Sequence, residues 1–440
     1  MTGVQKLENS KRNKIQAYDL AIHDWYQFIL GYPPHLVRHY IEKFGVSKYD
    51  IVFDPFCGTG TTPVEALKNG ISSYGLEANP IATFASKVKT YTDYDPDLLL
   101  EYLAYIRRSM ESSYSNYGIV EPQADLFSYK ARFCTIKVKD IINLTESQLQ
   151  VIPKGFISPK PLLKVLIIKE IIRSIENKDA RDFFLLALAK FIVKEAGNVR
   201  FGPEVGRTKP KSDIESIHSF TTIAEIMIND VQKTKLTGQA QIMQGDARSL
   251  DKYMTRELVR GINCVITSPP YPNEKDYTRS TRLESVLLDF IRNKRELRGI
   301  KENLLRSNSR NVFVSDNDSR YISSFSSITS IAQEVENRRL ALNKTSGFER
   351  HYNKIILHYF GGLYRHLKTL RPYLARNCKL AYVVGDQMSF FRVLIPTAEL
   401  LGEIAESLGY RIKEIELWRT RAATATKMQI NENVLILEKK

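Results

Sequence analysis

Two short stretches carry residue types and spacings that fit group-transfer chemistry. One is Thr267-Ser268-Pro269-Pro270-Tyr271. The exocyclic amine of a nucleobase is a poor nucleophile, because its lone pair is delocalised into the ring. A protein that accepts hydrogen bonds from that amine's N–H groups frees the lone pair to face an electrophile. The Ser268 hydroxyl and the Pro269 backbone carbonyl are both acceptors. Pro269 and Pro270 supply no competing N–H and stiffen the loop. Tyr271 offers a flat face on which an extruded base can stack. Taken alone, two prolines after a strand describe an ordinary turn.

The other stretch is Asp54-Pro55-Phe56-Cys57-Gly58-Thr59-Gly60-Thr61-Thr62. Gly58 and Gly60 allow a close backbone approach to a ligand. The apolar run Tyr49 to Phe53 ahead of it reads as a buried strand, and Pro63 to Gly70 behind it as a short helix. Proline suits the first helical position and glycine the C-terminal cap. The helix N-terminus offers free N–H groups. The next strand, 72–76, ends in Glu77, about 20 residues on, where a carboxylate can grip ribose hydroxyls. A dinucleotide site would need G-x-G-x-x-G/A, and Pro63 stands at the last position. Asp54 adds an acceptor that suits a cationic amino acid tail better than a pyrophosphate. A glycine turn without a ligand is the plain alternative.

These stretches need elements to position them. A strand over 240–244 ends in Gly245-Asp246-Ala247, where Asp246 could accept from an adenine amine. A strand over 262–266 delivers the Ser-Pro-Pro-Tyr turn to the rim where parallel sheets bind ligands. A helix over 352–370, a strand over 379–386 and a helix over 395–408 follow. Strands at 410–418 and 434–437 form an antiparallel pair that ends the sheet. Upstream, residues 1–17 read as a loosely docked arm, and Leu36, Val37, Tyr40, Ile41 and Phe44 mark one helix face. Helical spacing over 97–115 and 161–197 marks an insertion. Residues 198–211 form a basic loop suited to phosphates or to solvent. Residues 279–350 read as irregular with short helices.

The expected fold is α/β, a Rossmann-like doubly wound, mostly parallel sheet with an antiparallel C-terminal strand and a helical insertion. The catalytic domain comprises 18–90, 240–290 and 350–440. The mostly helical insertion is 91–239, and the irregular basic segment 291–349 is a candidate for reading DNA.

The run D-P-F-x-G-x-G-T, the Glu77 tip, the Asp246 tip and Ser-Pro-Pro-Tyr, in that order, resemble S-adenosylmethionine-dependent DNA amino-methyltransferases. The Ser-Pro-Pro-Tyr form looks like the N4-cytosine branch; the adenine-N6 branch more often has Asp or Asn where Ser268 stands. The resemblance implies S-adenosylmethionine as methyl donor, with contacts at Asp54, Pro55, Phe56, Gly58, Gly60, Thr61, Glu77, Asp246 and Ala247. It implies target contacts at Ser268, Pro269, Pro270 and Tyr271. It also implies double-stranded DNA with the base flipped out, and a restriction–modification setting with a cognate endonuclease. Adenine N6 and an RNA base amine are the rival targets. Tyr277 could line the base pocket, and Arg279 and Arg282, three residues apart, could meet phosphate from one helical face.

Composition agrees with a polyanionic partner. The chain has 440 residues, 43% hydrophobic, and a net charge of +15, enough for a large core and more than one domain. No apolar run approaches the ~20 residues of a membrane span, and the first residues lack the apolar stretch of a signal peptide. Cys57, Cys134, Cys264 and Cys378 form no C-x-x-C pair, and the seven histidines no H-E-x-x-H. Reduced thiols in a cytosolic chain without a zinc site are therefore expected, and the resemblance implies a cytoplasmic, nucleoid-associated prokaryotic protein. Cytosine-C5 chemistry, which needs a thiolate usually placed after a proline, is disfavoured: none of the four cysteines follows one.

Overall fold

The computed structural model describes residues 12, 14–26, 31–122, 144–201, 205–272, 276–422 and 428–440. Most of the N-terminal arm and Cys134 lie outside the described residues.

Seven strands form one sheet: β1 Ile51–Asp54, β2 Ser72–Glu77, β3 Ala240–Gln244, β4 Ile262–Thr267, β5 Leu374–Gly385, β6 Tyr410–Ala422 and β7 Gln429–Lys439. Their spatial order is 3-2-1-4-5-7-6. The first five are parallel neighbours. β7 runs antiparallel to both β5 and β6. The expected C-terminal pair is therefore present but longer, and the last strand slips inside β6 instead of forming the outer edge.

Side chains alternate across this sheet with period two. Val52, Ile266, Ala381 and Val383 pack under helix α1, Pro34–Phe44, with Leu36, Val37 and Tyr40. Phe53, Val265, Leu380 and Tyr382 face the opposite way, against Ile355, Tyr359, Leu363, Leu401 and Ile404. A sheet covered on both faces explains the near-continuous apolar runs of its central strands. Helix α2 spans Thr61–Lys68, two residues earlier than expected. Its proline therefore sits third; still in the first turn, it forfeits no intrahelical bond. Helix α3 spans Pro80–Lys89.

The insertion is helical as expected: α4 Pro96–Tyr117, α5 Pro159–Arg173, α6 Lys178–Phe191 and α7 Ile217–Lys233. Its core is continuous with Trp25, Tyr26, Ile81, Ala85 and Val88, and with Leu283 and Leu287 from beyond β4. Within the 198–211 loop, Val199–Arg200 pairs with Gly206–Arg207.

Residues 279–350 hold more helix than expected. α8 spans Lys294–Asn303 and α9 Ser326–Ala341. Ile328, Ala332 and Val335 place one apolar residue on each turn of α9, and these are the residues it buries. So sparse a stripe, diluted by charges, is a weak periodic signal. α10, Tyr352–Leu370, matches its expectation. α11, Thr397–Ser407, starts late because Ile395 exchanges backbone hydrogen bonds with Gln387.

Candidate active site

The carboxyl ends of β1, β2, β3 and β4 open onto one cleft. Pro55, Phe56, Gly58, Thr61, Glu77, Asp246, Ala247, Ser268 and Pro270 all line it. Four expected residues do not: Asp54, Gly60, Pro269 and Tyr271.

Asp54 lies beneath the wall, fully buried. Its carboxylate accepts hydrogen bonds from Tyr32 Oη at 2.5 Å, Thr267 Oγ1 at 2.6 Å and the Phe56 backbone N–H at 3.0 Å. Burial pushes its pKa up to about 6, against those hydrogen bonds. The acceptor expected to face a ligand thus organises the turn instead. It also ties the two signature stretches together, since Thr267 immediately precedes Ser268. Thr62 adds a second tie by donating to the Ile266 carbonyl at 3.2 Å.

Gly60 has φ +89, and a Cβ there would stand 2.6 Å from Ser86 Oγ on α3. The glycine allows close helix packing below the cleft. Gly58, at φ +51, presents its N–H to Glu77 Oε2 at 3.0 Å, and Asn79 N–H reaches Oε1 at 2.8 Å. Burial pushes Glu77 up to about 7, and the two N–H groups only partly offset this.

Asp246 faces the cleft but is heavily engaged. Arg248 Nε and Nη2 contact its oxygens at 2.8–3.1 Å. Arg248 continues to Asp318 at 2.9 Å, and Asp318 to Arg365 at 2.7 Å. Burial opposes the charge on Asp318, yet the two guanidiniums hold it below its ordinary value. Any adenine contact at Asp246 would share its remaining lone pairs.

Ser268 Oγ donates to the Val383 carbonyl at 3.0 Å. With its proton committed, the oxygen keeps lone pairs for an incoming N–H. Pro269 is buried. The Tyr271 ring packs on Gly385, where a Cβ would come within 2.8 Å of Cε2, with Arg421 at 5.9 Å from the ring centroid. The aromatic ring that lines the cleft is Tyr277.

Several wall residues escaped sequence reasoning. Asn303, Leu304 and Leu305 come from the segment read as irregular; an apolar pair inside a charged run was the available signal. His366 sits behind the wall, donating from Nδ1 to the Ala247 carbonyl at 2.9 Å and accepting from Tyr382 Oη at 2.7 Å. Burial lowers its pKa to about 4, so the ring is neutral at physiological pH. Phe56 meets its edge at 5.0 Å. A single histidine on an apolar helix face gave no sequence signal. Cys57 is buried against Gly75, and burial pushes its thiol well above its ordinary range, as a packing residue requires.

The cleft fits S-adenosylmethionine by its donor set. Glu77 supplies a carboxylate for ribose hydroxyls, the Gly58 turn supplies close backbone, and Phe56, Leu304 and Leu305 supply apolar walls. Glu77, and Asp246 beside Arg248, bring carboxylate oxygens to the cleft. Among the described residues no group of three or more His, Cys, Asp or Glu is placed to hold a metal, and no helix is long and apolar enough to cross a membrane.

Comparison with known proteins gives concordant matches. The DNA methylase family model, covering N6 and N4 methyltransferases, matches residues 2–85. The chain is 28% identical over 459 residues to the type II methyltransferase M.BsoBI of Geobacillus stearothermophilus, covering 96% of this chain and 84% of that one. It is 27% identical over 270 residues to the type II methyltransferase M.MvaI of Kocuria varians, covering 58% and 55%. The solved structure of TrmN from Thermus thermophilus aligns over 92% of this chain and 49% of that one at 8% identity, with a TM-score of 0.28; the fold assignment rests on the sheet order alone. These matches support an S-adenosylmethionine-dependent DNA methyltransferase of the N6/N4 kind and leave the choice between N4 and N6 open.

Proposed function

We propose that the protein methylates the exocyclic N4 amine of cytosine in double-stranded DNA, at a base flipped into the cleft, as the modifying half of a type II restriction–modification pair. One observation carries this reading: Ser268 and Pro270 line the same cleft as Phe56, Gly58 and Glu77. This supports a reading in which the target amine and the methyl donor meet in one cleft.

S-adenosylmethionine, when bound, supplies an electrophilic methyl group. Glu77, Gly58, Thr61 and Phe56 would hold it, with Asp246 and Ala247 at the purine end. Asp54 acts indirectly, by fixing the Pro55–Phe56 turn against Thr267 and Tyr32. Ser268 accepts an N–H of the target amine because its own proton is given to Val383. The Pro269 carbonyl is the natural second acceptor once the loop meets a base. Tyr271 or Tyr277 supplies the stacking face. No strongly basic group is needed, since the amine turns strongly acidic as its lone pair forms the new bond and gives its proton to water during or after transfer. Alignment of the two reactants and exclusion of water supply much of the rate. The choice of cytosine rests on a serine at 268, where the adenine branch more often has Asp or Asn. The helices of 91–239 and the 291–349 segment would flank the DNA. Such an enzyme works in the cytoplasm on nucleoid DNA, beside its endonuclease.

Nucleoside analysis of DNA methylated by the purified protein tests the reading. N4-methylcytosine supports it. N6-methyladenine would move the target to adenine, and unmodified DNA would overturn the activity.

A further inference from the structure

The Asp246 carboxylate is held in one orientation by a residue two places on. The backbone N–H, Nε and Nη2 of Arg248 all donate to it, at 2.8–3.1 Å. A carboxylate has about four lone-pair sites, so about one stays open to a ligand. Arg248 is itself buried and lines the cleft. Its Nη1 donates to Asp318 Oδ2 at 2.9 Å, and its Nη2 also to the Glu302 carbonyl at 2.7 Å. Asp318 Oδ1 accepts from Arg365 at 2.7 Å, and Arg365 returns to Ser249 Oγ at 2.9 Å. Two carboxylates and two guanidiniums thus close a ring on the β3 tip. A lysine, as a point charge, cannot fork to these partners.

The same guanidinium holds a wall. α8 buries none of its own residues, yet the chain leaving it, Asn303 to Leu305, lines the cleft. The Glu302 carbonyl lies in the last turn of α8, where no intrahelical partner remains for it. It accepts from Arg248 and, at 3.1 Å, from Arg306. Leu305 and the Asp318 backbone then lie against α10 at two successive glycines. A Cβ at Gly361 would stand 2.0 Å from the Asp318 carbonyl oxygen, and one at Gly362 would stand 2.6 Å from Leu305 Cδ1 and 3.3 Å from Arg248 Cδ. Glycine weakens a helix interior; here the pair admits the chain that carries the wall. An ionised carboxylate accepts hydrogen bonds and cannot donate them. A purine without an N–H at that point leaves the acceptor unsatisfied. We infer that Arg248 is a positioning residue for donor selectivity: it turns the open acceptor site of Asp246 to the exocyclic amine of the donor's purine and sets the 303–305 wall against the same ligand. The inference rests on the proposed placement of that purine at Asp246 and adds which side chain fixes the contact. It also gives residues 302–318, within the segment expected to read DNA, a part in holding the donor.

The test is calorimetric binding of two ligands to wild type, Arg248→Lys and Arg365→Lys. The ligands are S-adenosylhomocysteine and the analogue in which hydrogen replaces the adenine amine. Wild type is expected to prefer the amine by about 10- to 100-fold, the worth of one hydrogen bond to a charged acceptor. Arg248→Lys should bind S-adenosylhomocysteine more weakly and keep a preference of about threefold or less, because its charge no longer fixes the carboxylate. A purely structural Arg248 would weaken both ligands alike and leave their ratio at the wild-type value, which overturns the inference. Arg365, partly exposed, keeps the test valid if Arg248→Lys unfolds. Arg365→Lys loosens Asp318 and should lower the ratio by about threefold; an unchanged ratio there counts against the ring. A wild type that binds both ligands equally overturns the amine contact and the role of Arg248 with it. These results leave the analysis of the methylated base untouched, so a failure here and a failure of the proposed target are read apart. A wild type that binds neither ligand removes the donor site and the proposed function together.

Discussion

The two halves of the carboxyl rim are built from different groups. On the β1–β2–β3 side stand Asp54, Glu77 and Asp246, each tied down by hydrogen bonds. On the β4–β5 side stand Ser268 and two prolines, and beyond them Asp276, held by Lys301 and Thr278. The first half suits a donor with ribose hydroxyls, and the second offers a hydroxyl that can accept from an amine N–H. A single cleft that brings both to one place needs them linked, and the Thr267–Asp54 hydrogen bond at 2.6 Å is one such link, beside Thr62 and the pairing of β1 with β4. The geometry between the halves is set by buried groups, Asp54, Thr267 and Thr62.

Substitutions on either side should separate the halves. Ser268→Ala is expected to lower kcat by about 10²- to 10³-fold, the usual cost of one preorganised polar contact. Affinity for S-adenosylmethionine should stay within about twofold by calorimetry. Equal loss of both would show that Ser268 belongs to the donor half.

Asp54→Ala strikes the link itself. It leaves Tyr32, Thr267 and the Phe56 N–H without their acceptor, at a cost of about 2–3 kcal/mol of stability. Urea unfolding should show that loss, together with weaker cofactor binding. A large affinity loss at unchanged stability would instead mean that Asp54 contacts the ligand directly.

Acidity should act oppositely on binding and on folding. Glu77 is held near pKa 7 in the folded protein, above its ordinary value of 4.5. A folded pKa raised in this way makes the buried anion a burden on stability above pH 7. That burden is relieved as pH falls from 7 toward 4.5. Donor binding wants the anion, so affinity should fall as pH drops below 7, by up to about 1.4 kcal/mol per unit. Titration calorimetry and thermal melts across pH 5.5–8 would therefore slope in opposite directions for this group. Affinity that is flat across this window would remove Glu77 from the donor half.

Gly60→Ala should cost about 1 kcal/mol, from positive φ and the approach to Ser86. Ser86→Gly should restore only the part due to contact. Full restoration would show that backbone conformation contributes nothing.

Much of the rim was legible because its residues follow strand ends directly. The order Asp54, Glu77, Asp246, Ser268 can be read along the chain, and the sheet then brings those tips together. What stayed hidden depends on side-chain direction and on distant partners. Asp54 looked like a ligand contact because spacing cannot tell a carboxylate aimed outward from one folded under its own turn. Tyr271 reads from the sequence as a stacking face for an extruded base, and its ring rests on Gly385, 114 residues away. Leu304 and Leu305 lie in a charged run whose helices have too thin an apolar stripe to register. His366 and Arg248 act only through contacts that form on folding.

The most direct test of the shared cleft is a crystal structure of the protein with S-adenosylhomocysteine. The account predicts density against Glu77 and Phe56, with the sulfur turned toward Ser268. A ligand bound away from the β4 tip, so that residues 268–270 stand beyond reach of its sulfur, would contradict it.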